Sequence, residues 1–217
     1  MKANKEYREL SLASLKGNWT PAVIAAVIYV VIIALCGDKE SIGEHLNLQP
    51  GFLWTIRGVG AALSIFVLAP ASIGFSNAFR CLQQDGNPNI LQNFLGFSTR
   101  NYLHNIWVYI VMEIKVILWT LCLIVPGIMK SFSYAMVPYI MVEHPEYDAT
   151  TCIAESERIM YGHRMELFTL YLSFIGWFLL AIITCGIGLL WLMPYVETAQ
   201  AAFYADIKDP EASTIII

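Results

Sequence analysis

The sequence predicts an all-α protein that crosses a membrane several times. Hydrophobic residues make up 57% of the 217 residues and charged residues only 14%, whereas soluble domains carry about 25% charged residues. The hydrophobic residues occur in long blocks, which argues against a soluble bundle with polar faces and against an outer-membrane barrel. The net charge of −4 and the lack of a basic run argue against a nucleic-acid partner.

Six apolar segments are long enough to predict transmembrane helices that pair as three hairpins. An even number of spans places both termini on one side of the membrane. Nine Lys and Arg residues fall in the segments on that side, and only Lys39, Arg57 and Lys130 fall on the other. The positive-inside rule therefore predicts that both termini face the cytoplasm. The predicted spans cover about 21–36, 53–79, 105–125, 128–142, 165–184 and 187–204, with a turn predicted at Cys185-Gly186 between the last two.

Amphipathic segments precede the predicted hairpins. Residues 1–18 and 90–97 are predicted to form short interfacial helices. A helix over 148–161 is predicted on the cytoplasmic side, with Asp148 as its N-cap and Gly162 as its stop. Polar connections are expected at 37–50 and in a tail over 206–217.

Prolines and glycines predict where the spans turn or bend. Pro126 and Gly127 interrupt an otherwise apolar run, and we expect them to form the outer turn of the second hairpin. Pro70, Pro138 and Pro194 each lie inside a predicted returning helix. A proline leaves a carbonyl one turn earlier without its helical hydrogen bond, so these positions are candidate hinges.

The recurrence of these features suggests one membrane domain, residues 1–217, built from three repeats over about 5–80, 88–147 and 148–207. Each unit has a glycine before its hairpin and a proline in its returning helix. The alternative is that glycine and proline are simply frequent in membrane helices, in which case the three units share no common plan.

A polar pocket between the helices is the sharpest functional prediction, because charged side chains inside spans are costly. Glu113 and Lys115 lie in the third predicted span and Glu197 in the sixth. Asn77 and Gln200 lie after Pro70 and Pro194, where freed carbonyls add polarity. The alternative is a cluster of interhelical hydrogen bonds that fixes packing, and the small number of charged residues favours it.

Nothing in the sequence supports enzyme chemistry, a metal or a cofactor. The chain has no nucleophile elbow, phosphate-binding loop or paired-carboxylate motif. The histidines and the five cysteines lack ligand spacing, and we interpret the cysteines as small packing residues.

Several stretches resemble the bacterial membrane-protein family named domain of unknown function 975. The motifs are Val125-Pro126-Gly127-Ile128, Pro138-Tyr139-Ile140, Gly186-Ile187-Gly188 and Pro194-Tyr195, within a match over 124–204. The family is in turn distantly similar to the membrane domain attached to some glycerophosphodiester phosphodiesterases. The resemblance implies a multi-pass protein of the bacterial cytoplasmic membrane, and it implies no activity.

Two functions follow as expectations. The first is non-enzymatic transport, or handling of a lipid, peptide or ion, through the polar pocket. The second is a structural scaffold for a membrane-protein partner, in which the 148–161 helix carries the contact. A lipid enzyme embedded in the membrane is a third reading, and it would need ionisable groups clustered at headgroup depth.

Overall fold

The structure, a computed structural model, describes residues 2–37, 50–99 and 102–208. The described residues confirm the all-α class. The predicted outer loop at 38–49 and the tail after residue 208 lie outside the described residues. The helices are α1 Asn4–Leu15, α2 Trp19–Gly37, α3 Pro50–Gln84, α4 Ile90–Thr99, α5 Tyr102–Cys122, α6 Ile124–Tyr134, α7 Val137–Glu143, α8 Ala149–Ile159, α9 Arg164–Leu172, α10 Ile175–Ile183 and α11 Leu189–Lys208.

Three stretches of the described chain are long and apolar enough to cross a membrane: Trp19–Cys36, Tyr102–Cys122 and Arg164–Ile183. They correspond to α2, to α5, and to α9 together with α10. The last stretch has a break at Ser173 and Phe174, between its two helices. Large side chains on these helices are exposed, among them Leu118, Leu121, Ile183 and Trp177, as expected for surfaces that meet lipid.

Helix α1 ties the two ends of the described chain together. It buries Tyr7, Ser11 and Leu15 and leaves Leu12 exposed. The Lys2 Nζ lies 3.2 Å from Asp206 Oδ1, and the Tyr7 hydroxyl donates to Asp206 Oδ2 at 2.6 Å. The beginning of α1 therefore lies beside the end of α11.

Helix α3 runs without a break from Pro50 to Gln84, beyond its predicted end near Phe79, and carries Pro70 in its interior. Pro70 cannot donate to the carbonyl of Phe66 one turn earlier. The hydroxyl of Tyr102, at the start of α5, donates to this carbonyl instead. The freed group is thus used to join two helices.

The reversal between α5 and α6 lies at Leu123, so the prediction of a turn at Pro126-Gly127 is wrong by three residues. Leu123 is extended, with φ −161° and ψ 139°, and α6 begins at Ile124. Pro126 is tolerated in the first turn of α6 because its amide would have no helical partner there. A Cβ on Gly127 would lie 2.3 Å from Thr120 Oγ1, so this glycine permits the close contact of α6 with α5.

The other two candidate hinge prolines, Pro194 and Pro138, lie in different kinds of position. Pro194 lies inside α11, as predicted, and the hydroxyl of Thr198 donates to its carbonyl at 2.6 Å. Pro138 does not lie inside a continuous helix, because the chain breaks at Ala135 and Met136 and Pro138 stands in the first turn of α7. The turn before α11 is confirmed, since Cys185 and Gly186 have φ of 53° and 87°.

Helix α8 confirms the local predictions made for 148–161. Asp148 is the N-cap and accepts a hydrogen bond from the Thr151 amide, and Gly162 follows the helix with φ 87°. The buried face of α8 packs against α5, α6 and α7. Its buried residues are Ala149, Cys152, Ile153, Ser156 and Ile159.

The predicted depths of Lys130 and of α8 contradict each other. Lys130 was expected near the outer surface and 148–161 on the cytoplasmic side, yet Lys130 forms an ion pair with Glu157 of α8. The ion pair places Lys130 and Glu157 at the same depth in the bundle. The predicted position of Lys130 near the outer surface and that of α8 on the cytoplasmic side therefore cannot both be correct. Burial acts to raise the pKa of Glu157, but the hydrogen bond and charge of Lys130 outweigh it and the pKa lies below its ordinary value.

Candidate functional site

Glu197 of α11 lies where α3, α7 and α11 meet, and two hydroxyls hold it. Ser76 of α3 donates to Glu197 Oε1 at 2.5 Å, and Tyr139 of α7 donates to the same oxygen at 3.0 Å. Each donor comes from a different helix, so the carboxyl group ties three helices together. Side-chain hydrogen bonds of this kind fix helix packing in an apolar environment.

Gln200 extends this polar group by one turn of α11. Its Nε2 donates to the carbonyl of Ala135 at 3.1 Å, and its Oε1 accepts from the Tyr171 hydroxyl at 2.6 Å. The Ala135 carbonyl belongs to the break between α6 and α7, where the helical hydrogen bonds are interrupted. Gln200 therefore satisfies an irregular piece of backbone and fixes α9 relative to α11.

A cavity of about 310 Å³ opens beside these groups, between α2, α3, α10 and α11. Its volume is at the lower end of the range of small-molecule pockets. Three aromatic side chains, Tyr29, Phe75 and Phe178, form part of its wall, and Tyr29 stacks on Phe75 at 4.7 Å between ring centroids. The polar lining consists of Ser72, Ser76, Glu197 and Gln200.

Glu197 has one oxygen to offer to this cavity. Both of its hydrogen bonds go to Oε1, and within the described ranges none reaches Oε2. No Lys, Arg or His of the described chain pairs with this carboxyl group. A carboxylate in apolar surroundings without a cation is unfavourable. The site is therefore suited to a partner that brings a hydrogen-bond donor and a positive charge.

Of the five predicted pocket residues, the structure brings only Glu197 and Gln200 to the cavity. Asn77 follows Ser76 but faces the other way, donating to the carbonyl of Asn93 at 3.2 Å and accepting from Arg80 at 3.3 Å. This contact joins α3 to the start of α4. Asn77 therefore belongs to the packing of α3 rather than to the cavity wall.

Glu113 and Lys115 lie on α5, away from the cavity. Glu113 lies beside Tyr109, one turn earlier on the same helix. The charge of Lys115 acts on Glu157 of α8, the residue that also pairs with Lys130. No ion pair joins Lys115 to Glu197 among the described residues.

A second carboxylate, Glu143, lies at the ends of α3, α7 and α11 and is held very differently. Its oxygens are 3.4 Å from Arg80 Nη1 and 2.5 Å from Lys208 Nζ, and the Tyr204 hydroxyl donates to it at 2.8 Å. The Tyr204 ring stacks on Tyr139, with centroids 5.1 Å apart. Tyr139 and Tyr204 thus connect the Glu143 cluster to the Glu197 site.

Tyr139, Glu143, Tyr171 and Tyr204 were not predicted from the sequence as parts of this network. For two of these residues, Glu143 and Tyr204, helical spacing in the sequence indicated the connection. Glu197, Gln200 and Tyr204 recur at the spacing of one face of α11, and Tyr139 and Glu143 lie one turn apart on α7. Tyr171 gave no such signal, because its partner depends on how α9 packs.

The fold and the site define an all-α protein with helices suited to a membrane and a small aromatic cavity, beside which no cation of the described chain pairs with Glu197. Residues 121–211 match the family described as "Protein of unknown function (DUF975)", which confirms the predicted resemblance. The matched region contains α6 to α11, and with them Tyr139, Glu143 and Glu197.

No curated protein and no solved structure matches the chain.

Proposed function

We propose that this chain is a multi-pass membrane protein, with both termini on one side of the membrane, that binds a small organic cation in the cavity beside Glu197. The observation that carries the proposal is a carboxyl group with an unbonded oxygen, set among aromatic side chains and lacking a cation in the described chain. Carboxylates and aromatic faces are the two groups that recognise ammonium ions in proteins.

The apolar part of the cavity defines the rest of the ligand. Leu189, Leu192, Met193 and Val196 line it together with the aromatic wall. A ligand that fills it combines one ammonium group with a compact apolar body, such as an arylalkylamine. A multiply charged ion would leave its other charges in apolar surroundings.

The binding is proposed to serve transport rather than chemistry. The cavity lies between pairs of helices, and the tyrosine pair Tyr139–Tyr204 separates it from the Glu143 cluster at the helix ends. Transporters place their substrate sites between helices in this way. Separation of Glu143 from Arg80 and Lys208 would let the ends of α3, α7 and α11 move apart.

Thermal unfolding of the purified protein with three probes of equal size tests the binding. Benzylammonium is expected to raise the unfolding temperature, while benzyl alcohol and benzoate have little effect. Glu197→Gln is expected to abolish the shift, and the control Glu155→Gln, whose carboxylate pairs with Arg158 on the exposed face of α8, is expected to keep it. Equal shifts with all three probes would contradict the proposal.

Uptake of benzylammonium into proteoliposomes separates transport from binding alone. If the protein transports benzylammonium, we expect proteoliposomes to take up more of it than empty liposomes do. Proteoliposomes with Glu197→Gln are expected to take up no more than empty liposomes. Binding without uptake would instead support the scaffold reading, in which α8 is the working surface. Crosslinking from native membranes would then be expected to capture a stoichiometric partner through Glu155 and Arg158.

A further inference from the structure

A second cavity, separate from the one beside Glu197, lies between α1, the start of α2, α10 and α11. Its volume is about 440 Å³, and its lining is almost entirely apolar. Three indole rings, those of Trp19, Trp177 and Trp191, form much of the wall. Leu192 contacts both cavities and is itself buried, so it forms the partition between them.

The cavity opens on a surface that suits lipid. Trp177 and Leu180 belong to the apolar stretch Arg164–Ile183 and are about half exposed. Leu12 of α1 also contributes to the wall and is 44% exposed. An amphipathic helix and tryptophan side chains are typical of the membrane–water boundary.

Two basic residues flank Leu12, the residue that α1 contributes to the cavity wall. Arg8 lies one turn before Leu12 on α1, and Lys16 lies one turn after it. Arg8 donates to the carbonyl of Ser173 at 3.3 Å, and the hydroxyl of Tyr195, a residue of the cavity wall, is near the charges of both Arg8 and Glu9. The Arg8 Nε is buried and has no hydrogen-bond partner within the described chain. A guanidinium held beside an apolar cavity, with a donor unused, is a site for an anion attached to an apolar chain.

We infer that this cavity binds an anionic phospholipid, with one acyl chain between α1 and the α10–α11 hairpin and the phosphate at Arg8. An anionic phospholipid accounts for both the apolar cavity and the basic residues beside it. A free anion would leave the apolar cavity unfilled, and a zwitterionic lipid would gain less binding free energy from Arg8 and Lys16. The site depends on the membrane location of the chain and not on the function of Glu197.

Lipid titration followed by native mass spectrometry tests this site, with phosphatidylglycerol and phosphatidylcholine of the same acyl chains. Wild-type protein is expected to bind phosphatidylglycerol several-fold more tightly. Arg8→Gln is expected to reduce that preference by about fivefold, the effect of one basic residue near an anionic lipid surface, and Arg8→Lys is expected to restore most of it. The control Arg158→Gln removes a positive charge far from the cavity and is expected to keep the preference.

Leu12→Trp supplies a second test that leaves Arg8 in place. The larger side chain is expected to fill the cavity and to weaken binding of both lipids, and it costs little stability because Leu12 is exposed. Inorganic phosphate in millimolar excess is expected not to displace the lipid. Equal binding of the two lipids, an unchanged preference in Arg8→Gln, or displacement by phosphate would each overturn the inference.

Discussion

Glu143 and Glu197 are two carboxyl groups in one helical bundle, and their different surroundings indicate different roles. Glu143 lies between Arg80 and Lys208, so its charge is balanced within the protein. Glu197 receives two hydroxyl groups on one oxygen, and no cation of the described chain reaches it. A balanced carboxylate holds helices together, whereas an unbalanced one is available to a ligand.

The largest expected effect is on stability when the balanced carboxylate is removed. Glu143→Gln leaves Arg80 and Lys208 without a counter-charge, so we expect it to lower the free energy of unfolding by about 2–3 kcal/mol. Equilibrium unfolding in detergent micelles measures this. Glu155→Gln is the matched control, since its pair with Arg158 is exposed and the change is expected to stay within about 0.5 kcal/mol.

The two tyrosines that join the sites test the comparison with a smaller change. Tyr139→Phe removes one of the two hydrogen-bond donors to Glu197. We expect the free energy of unfolding to fall by about 1–2 kcal/mol, because no cation of the described chain replaces the lost hydrogen bond. Tyr204→Phe removes one hydrogen-bond donor to Glu143, but Glu143 still pairs with Arg80 and Lys208. We therefore expect the free energy of unfolding to fall by about half as much as in Tyr139→Phe. Both variants preserve the stacked rings. A larger cost for Tyr204→Phe would reverse the assigned roles.

Glu197→Gln is expected to change stability by less than about 1 kcal/mol, because the amide oxygen still accepts from Ser76 and Tyr139 and a buried charge without a cation is removed. The same unfolding experiment measures it beside Glu143→Gln. Destabilisation as large as that of Glu143→Gln would show that Glu197 is a packing residue, which is the alternative suggested by its hydrogen bonds.

The smallest expected effect concerns Asp148, an exposed carboxylate that pairs with no cation in the part of the chain that the structure describes. Hydrogen bonds from Thr150 and Thr151 lower its pKa from 3.8 to about 2. Because the folded-state pKa is depressed, its support for α8 is fully present above pH 3.8 and is lost as the pH falls towards 2. Hydrogen exchange at the first turn of α8 is expected to speed up in this window, and Asp148→Ala is expected to remove the pH dependence.

Local features were predictable from the sequence, and contacts between distant segments were not. The Asp148 cap, the stop at Gly162 and the turn at Cys185-Gly186 follow from side chains and backbone conformations within a few residues. Glu197 and Gln200 were found because they are polar in an apolar helix. Their partners Ser76, Tyr139 and Tyr171 come from three other helices, so the packing decides them.

The error at Pro126-Gly127 has a related cause. Proline and glycine predict an interruption of a helix, but proline is equally acceptable in a first turn, and glycine is also required where helices approach closely. The contact of Gly127 with Thr120 is of the second kind.

The affinity of benzylammonium relative to benzyl alcohol, measured at equilibrium for wild type and Glu197→Gln, tests the central claim most directly. The two probes differ in charge and hardly in size. We predict that wild-type protein prefers benzylammonium by about tenfold or more, equivalent to about 1.4 kcal/mol, and that Glu197→Gln binds the two probes equally. A wild-type protein that binds them equally, or a Glu197→Gln variant that retains the preference, would contradict the assignment of Glu197 as the ligand's counter-charge.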